Sequence, residues 1–530
     1  MKKQSFLQGA GILALATIAV KIIGAIYKIP LNNILGKEGY GTFSQAYVIY
    51  SWLLVISTAG LPVAMSRMIA KAQSENNSAQ IHRIFTAALN VFLLLGLAGC
   101  VCMILLNHQL AALLGDSNAA LSILALGPAV LFVCLNSAFR GYFQGQSNMT
   151  PTGISQIIEA GCKLVVGIAL AQIFLNASGD VSKATAGAIL GVTSGSVLAF
   201  FYLAAQYRKK SSELLRRNYS KPTHTLRATM KELLAIAIPI TLGSAGLETI
   251  SVIDSSMVMH RLTGAAGFVE QAARGLRGIY GSAQTLFNLP GALVLPFSIS
   301  IIPAITACLT RRDRRGALRV ENSAIRIMTL LILPCGVGLG VLSKPIMTLL
   351  YHSYTADDLT TGGVLLSILS VAVIFNGLVL LLNAIMQAHG FVTLPVVNMI
   401  VGGIVKVVIN FILVGIPSIN IYGAPIGTTI CFLVITMLDV FCIKRVIRHP
   451  PRILHLMAKP LIASAFMGVS AYLVNRLAAA ALSPKIACVL AILVAAAVYG
   501  IMALALGIVT YQDCMLLPKG EKIAKLLKIR

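Results

Sequence analysis

The feature that most constrains this chain is an apolar run of about 18 to 28 residues that recurs fourteen times along the sequence. Each run is long enough to cross a hydrocarbon core of about 30 Å as a helix. In that solvent every backbone N–H and C=O must be paired inside the segment, so such a chain folds into helices that cross. The runs predict helices near residues 9–35, 43–66, 84–106, 119–141, 152–176, 184–206, 233–258, 280–307, 323–350, 362–386, 391–416, 422–443, 457–478 and 484–510. A composition of 57% hydrophobic and 11% charged residues, with a mean hydropathy of +0.86, excludes an ordinary soluble domain. The fold class expected is therefore an all-α polytopic membrane protein. The opening stretch MKKQSFLQGAGILALATIAV imitates a signal peptide, but its apolar pattern runs on through Lys21 to Leu35, which reads as a retained first helix.

The formal net charge of +25 raises the alternative of a nucleic-acid binder. The basic residues instead alternate between loops. Loops after even-numbered spans carry Arg67, Lys71 and Arg83, then Arg140, then RKK at 208–210 with Arg216, Arg217, Lys221, Arg227 and Lys231, then RRDRR at 311–315, then Lys444, Arg445, Arg448 and Arg452. Between them, NHQLAALLGDSN has no Lys or Arg and YHSYTADDLTT has two Asp. By the positive-inside rule both termini are cytoplasmic. Arg261, Arg274 and Arg277 break the pattern in the loop at 260–280. The basic surplus also suits anionic inner-leaflet lipids.

Two stretches echo each other at an offset of 243 or 244 residues: Gln144, Pro151 and Lys163 in one match Gln387, Pro395 and Lys406 in the other. Pro62 in AGLPVAMSRM and Pro290 in FNLPGALVLP form a second echo. Spans 1–6 and 7–12 therefore read as parallel copies of one six-helix unit, with a cleft between two lobes. The expected organisation is an N-lobe at 1–206, a cytoplasmic linker at 207–232, a C-lobe at 233–443, and two further helices with a basic tail at 444–530. Prolines 62, 239, 290 and 303 are expected to break backbone pairing inside spans, as hinges or cavity-lining kinks do.

A charge at the bilayer centre costs about 2.5–3.5 kcal/mol, so each one in a span is a functional candidate. Lys21 and Lys28 lie two turns apart on one face of the first helix, with Gly24 between them leaving room beside that face. The alternative for both is snorkelling to the interface. Glu159 and Lys163 are spaced for a helical ion pair, so mutual neutralisation competes with a cavity role. Lys406 has Gly402 where such a partner would stand. Glu248 and Asp254 are candidates to bind a proton or Na+, or to pair with a lysine across the cleft. Arg67 and Arg140, at helix ends, read by default as interfacial anchors.

Cations outnumber anions in mid-span, which suits an anionic cargo. No Walker loop, Ser/His/Asp pattern or HExxH accompanies them, so no catalytic residue and no cofactor is expected. The ten cysteines form no CxxC or Cys/His cluster, so no metal site is expected either.

FLQGAGILALATIAVKIIGAIYKIPLNNILGKEGYGTFSQAY followed by ISTAGLPVAMSRMIAKA resembles the polysaccharide-biosynthesis and stage V sporulation protein B family. RGYFQGQSNMTPTGISQIIEAG at 140–161, YGSAQTLFNLPGALVLPFSISIIPAI at 280–305, and GGIVKVVINFILV with INIYGAPIGT add to the match, which spans nearly the whole chain. That family sits within the multidrug/oligosaccharidyl-lipid/polysaccharide exporter superfamily, which includes lipid II flippases. The resemblance implies two six-helix lobes around a V-shaped cavity with two extra helices, and an undecaprenyl-pyrophosphate-linked sugar moved outward by alternating access. It places Lys21 where a cavity arginine of the first helix stands and Lys28 close to a second. On the eighth helix the chain departs, with Gln284, Thr285 and Asn288 where those flippases have an Arg. Lys163, Lys406 and Arg274 are candidates to replace that charge.

The leading expectation is a flippase for a lipid-linked cell-wall precursor, lipid II first, in a bacterial plasma membrane. The substrate contacts expected are Lys21, Lys28, Arg67, Lys163, Asn288 and Lys406; Glu159, Glu248 and Asp254 are the expected coupling or ion-pair groups. Membrane potential, Na+ or H+ is the expected drive, and membrane lipids and cell-wall synthesis proteins are the expected partners, without nucleic acid. A cation-coupled multidrug exporter and a membrane scaffold docking through the linker are the competing readings.

Overall fold

A chain in hydrocarbon has to pair its backbone internally, and among the described residues this one does so with helices alone: 89% are helical and none is in a strand. A computed structural model of the chain describes residues 6–215, 222–223, 225–447 and 450–508. Among the described residues twelve helical stretches are long and apolar enough to cross a membrane, which makes this a multi-pass membrane protein.

The helices are, in order, α1 (Phe6–Thr58), α2 (Leu61–Ser74), α3 (Ser78–Leu105), α4 (Asn107–Leu114), α5 (Ala119–Gly145), α6 (Thr150–Ser178), α7 (Val181–Leu215), α8 (Leu226–Thr263), α9 (Glu270–Thr310), α10 (Arg314–Val341), α11 (Ser343–Leu350), α12 (Ala356–Ala388), α13 (Thr393–Val414), α14 (Gly423–Val446), α15 (Ile453–Ala481) and α16 (Pro484–Ala505). They divide into two compact units, residues 1–278 and 279–530.

In the first unit α1 is not one rod. Gly36 has φ 67° and ψ −178°, a conformation open only to glycine, and the chain turns back there. The rings of Tyr27 and Phe43 are 6.1 Å apart, whereas an unbroken helix would separate those residues by about 24 Å. The loop expected between residues 35 and 43 is thus a single-residue turn between two helical arms. The second expected span is also corrected. It breaks at Gly60, and Pro62 falls in the first turn of α2, where its missing N–H removes no helical hydrogen bond. Pro239 does stand inside α8, and Pro290 and Pro303 fall within α9.

α6 and α7 pack backbone to backbone. Gly187, Gly191 and Gly195 form a stripe on α7 that meets Leu170, Gly167 and Glu159 of α6; a Cβ on Gly195 would sit 2.7 Å from the Glu159 carbonyl. Small residues at such spacing are what let membrane helices approach closely. The first of the expected non-basic loops is helical as α4, and in the second Thr355 and Asp358 form a capping box that starts α12. In the second unit α15 and α16 pack on each other and dock on α10 and α11 through Leu342, Met467, Ala471, Ala491 and Ala495.

The expected linker at 207–232 is helical at both ends, as the end of α7 and the start of α8. Its middle, with Arg216, Arg217 and Lys221, lies outside the described residues, as do Arg448 and the tail from 509.

A cationic cavity in the first unit

The glycine stripe decides where the charges of α6 stand. By bringing the Glu159 backbone against Gly195, it sets Ser196 of α7 beside the Glu159 side chain, and the Ser196 hydroxyl donates to Oε1 at 3.1 Å. The other carboxylate oxygen, Oε2, accepts from Arg140 Nη2 of α5 at 2.8 Å. Arg140 also donates through Nε to the Ser155 hydroxyl at 3.0 Å. Both side chains of this pair are mostly buried, 12% and 20% exposed.

Of the two alternatives for Glu159 and Lys163, mutual pairing is not the one adopted: Glu159 pairs with Arg140. One turn further along α6, Lys163 donates to the Tyr47 hydroxyl at 3.1 Å, and its ammonium lies 4.4 Å from the centre of the Tyr47 ring and 4.9 Å from that of Tyr27. A cation over two aromatic faces is stabilised without a counter-ion, by roughly 0.5–2 kcal/mol per ring. Tyr27 is fully buried and its hydroxyl reaches the Ala188 carbonyl at 3.3 Å, so that ring is fixed. Tyr47 is stacked on Phe43. The cage is built from both arms of α1, and so depends on the turn at Gly36.

These groups enclose one cavity of about 420 Å³, lined among others by Lys21, Tyr50, Arg140, Glu159 and Lys163. Gly24 is also on its wall, so the space expected beside the Lys21 face is part of the cavity. Lys21 is exposed. Among the described residues, three cations thus surround a space in which the one lining carboxylate is already paired. Such a cavity carries net positive charge and offers its remaining donors to an anion.

The other sequence candidates stand elsewhere. Lys28 is half-buried on the same arm of α1 but off the cavity wall, and Arg67 is exposed on α2. Glu248 is half-buried on α8; Asp254, on the same helix, is buried and engaged by neighbouring groups. Asn288 on α9 is exposed and donates to the Gln284 carbonyl at 2.8 Å, and Lys406 is half-buried on α13. Arg140, read from sequence as an anchor, is the residue that joins the cavity unexpectedly. Tyr47 and Tyr50 were legible as an i, i+3 pair on one face, but nothing local tied that face to α6.

Two of the three arginines that broke the charge pattern are also explained. Arg274 is buried and binds Asp116 at 2.9 Å through Nε and Glu270 at 2.9 Å through Nη2. Arg277 donates to the Ser255 hydroxyl at 3.1 Å, and Ser255 in turn donates to Gln45. Burial pushes the Asp116 carboxyl above its ordinary range, against the pull of Arg274. Burial also raises Glu270, but hydrogen bonds from Ser117 and Arg274 and the charge of Arg274 bring its carboxyl below the ordinary value. Among the described residues no group of three or more His, Cys, Asp or Glu is placed to hold a metal ion.

Comparison with known proteins bears on this arrangement. A family model described as polysaccharide biosynthesis protein matches residues 6–309. The chain is 26% identical to lipid II flippase MurJ of Bacillus subtilis (strain 168), over 88% of each chain. It is 25% identical to stage V sporulation protein B of the same organism, over 84% of this chain and 85% of that one. Among solved structures, lipid II flippase MurJ in an inward closed conformation superposes with a TM-score of 0.72 at 17% identity, covering 95% of this chain and 99% of the other. An inward-facing multidrug resistance transporter of the MATE family superposes with a TM-score of 0.64 at 17% identity, over 80% and 96%. At these identities the structural likeness speaks for the fold.

Proposed function

The chain belongs to the polysaccharide biosynthesis protein family, and on that premise we propose that it is a flippase moving an undecaprenyl-pyrophosphate-linked cell-wall precursor, lipid II first, from the inner to the outer leaflet. The observation that carries this reading is the cavity of the first unit. Lys21, Arg140 and Lys163 converge on it, and its one lining acid is neutralised by Arg140. A diphosphate presents several anionic oxygens, and charge-assisted hydrogen bonds to ammonium and guanidinium groups are the strong ones.

The relatives named for lipid II flipping and sporulation support the substrate class. Alternating access between two lobes is the mode of action. The repeat behind it is supported by helix lengths, since helices of 28 and 8 residues followed by a long one occur at α3 to α5 and again at α10 to α12. Counting the two arms of α1 separately and adding α9 brings the crossings to fourteen, with both termini cytoplasmic. Outward movement of a negative head group is assisted by an inside-negative potential, at about 2.3 kcal/mol per charge per 100 mV. Na+ or H+ coupling, and docking to cell-wall synthesis proteins, extend the same proposal. Chemistry on the substrate is not part of it: the protein moves a lipid and does not transform it.

Replacing Lys21 with Ala is expected to lower outer-face exposure of lipid II about tenfold in cells depleted of other flippases, the loss of one charge-assisted contact of about 1.4 kcal/mol. Unchanged exposure removes Lys21 from the mechanism. A second reading, a cation-coupled multidrug exporter, is favoured by the three tyrosines on the cavity wall. It requires ion-dependent drug efflux that Asp254→Asn abolishes.

A further inference from the structure

The cavity holds an acid where an anion is expected to bind. Glu159 Oε2 sits on the Arg140 guanidinium at 2.8 Å, inside the space proposed for a diphosphate. A carboxylate on an arginine has the geometry and charge sign of a phosphate oxygen on that arginine. Its partner on the other side is different in kind. The Ser196 hydroxyl of α7 lies 3.1 Å from Oε1 and 3.1 Å from the Val192 carbonyl, so its one proton is shared between them and is open to the carboxylate if Arg140 leaves it. Arg140 likewise keeps the Ser155 hydroxyl at 3.0 Å if Glu159 leaves. Each member of the ion pair thus has a second, neutral partner of its own, from a different residue.

We infer that Glu159 is a resident competitor of the substrate: it occupies Arg140 while the cavity is empty and yields it to an incoming diphosphate, falling back on Ser196. This rests on the proposed function. Two consequences follow for transport. Without substrate, the cavity does not leave a mostly buried guanidinium uncompensated, which is costly when a buried pair is broken. The bound substrate is also held less tightly than three free cations would hold it, and a site that must release its cargo on the far side needs that restraint. Lys163 plays no part in the exchange, because its tyrosine cage stabilises the ammonium without a carboxylate and leaves its charge in place.

Titration calorimetry of the purified full-length protein with inorganic pyrophosphate, repeated with undecaprenyl diphosphate, tests this. Glu159→Gln is expected to bind pyrophosphate about tenfold more tightly than the unmodified protein. The same substitution on an Arg140→Gln background is expected to change affinity less than twofold. Simple through-space repulsion by the Glu159 charge predicts an equal gain on both backgrounds, and that result overturns the inference. Should Glu159→Gln not fold, Ser196→Ala keeps the ion pair but removes the fallback. It is expected to weaken pyrophosphate about threefold, and unchanged affinity overturns the inference. If the unmodified protein binds pyrophosphate and Glu159→Gln binds it no better, competition fails while the flippase reading stands. If no form binds either diphosphate, both fall together.

Discussion

Lys163 and Lys406 occupy matching places in the sequence echo, 243 residues apart, yet their neighbourhoods differ. Stepping back by the same offset, Arg140 and Glu159 in the first unit correspond to Asn383 and Gly402 in the second. In the first unit the three charged residues line a cavity. In the second, Asn383 Nδ2 lies 3.8 Å from Met399 sulfur, and the missing side chain of Gly402 is filled by Ile435. The echo therefore preserves helices and a lysine while it exchanges an ion pair for apolar packing. The cavity lined by Lys21, Arg140 and Lys163 is built from residues of the first unit. Duplicated helices supply a scaffold, and individual side chains decide which copy carries a site.

This contrast can be broken by experiment. The largest effect is expected at Arg140, where Arg140→Gln leaves Glu159 without its cation and should lower flipping more than tenfold. Asn383→Ala in the second unit should change flipping less than twofold. An equal loss at both positions, measured as outer-face lipid II exposure, would place the site on both units. Next in size is Gly191→Ala. Its methyl would meet the backbone of Gly167, which has no rotamer to yield, so a stability loss of about 1–3 kcal/mol is expected. Gly402→Ala meets Cγ1 and Cδ1 of the Ile435 side chain, with the Cys431 carbonyl at 3.2 Å, and should cost less because its closest contacts are side-chain atoms. Thermal unfolding of the two variants in detergent ranks them, and the reverse order would remove the glycine stripe as the element that positions Glu159. The smallest effect is expected from the lysines themselves. Lys163→Met should slow flipping about fivefold, since the tyrosine cage remains while a cation is lost, whereas Lys406→Met should change it less than twofold.

The alternation of basic and non-basic loops is a local feature of composition and is open to sequence inspection. Its exception at 260–280 is not, because Arg274 and Arg277 are satisfied by Asp116 and Ser255, residues more than 20 positions away. The i, i+4 spacing of Glu159 and Lys163 leaves mutual pairing and a cavity role equally open, and the structure decides for the cavity. Either side chain could reach the other along α6, but the better partners, Arg140 and Tyr47, come from α5 and α1. The stripe Gly187, Gly191, Gly195 was open to sequence inspection, since residues four apart share a helix face. A four-residue repeat of glycine does not, however, say which helix it meets.

Apolar run length by itself determined that the chain crosses a membrane as helices, because hydrocarbon thickness and unpaired backbone groups leave no other solution. Mid-span charges also marked themselves as candidates, because their cost there is high enough to need a reason. Which of them share a cavity was settled only by tertiary structure. The turn at Gly36 brings Tyr27 and Tyr47 to one place, and the contact of Gly195 with α6 puts Ser196 beside Glu159. Pairing among buried charges is decided by distances between helices, and those distances are set by packing that no single segment encodes.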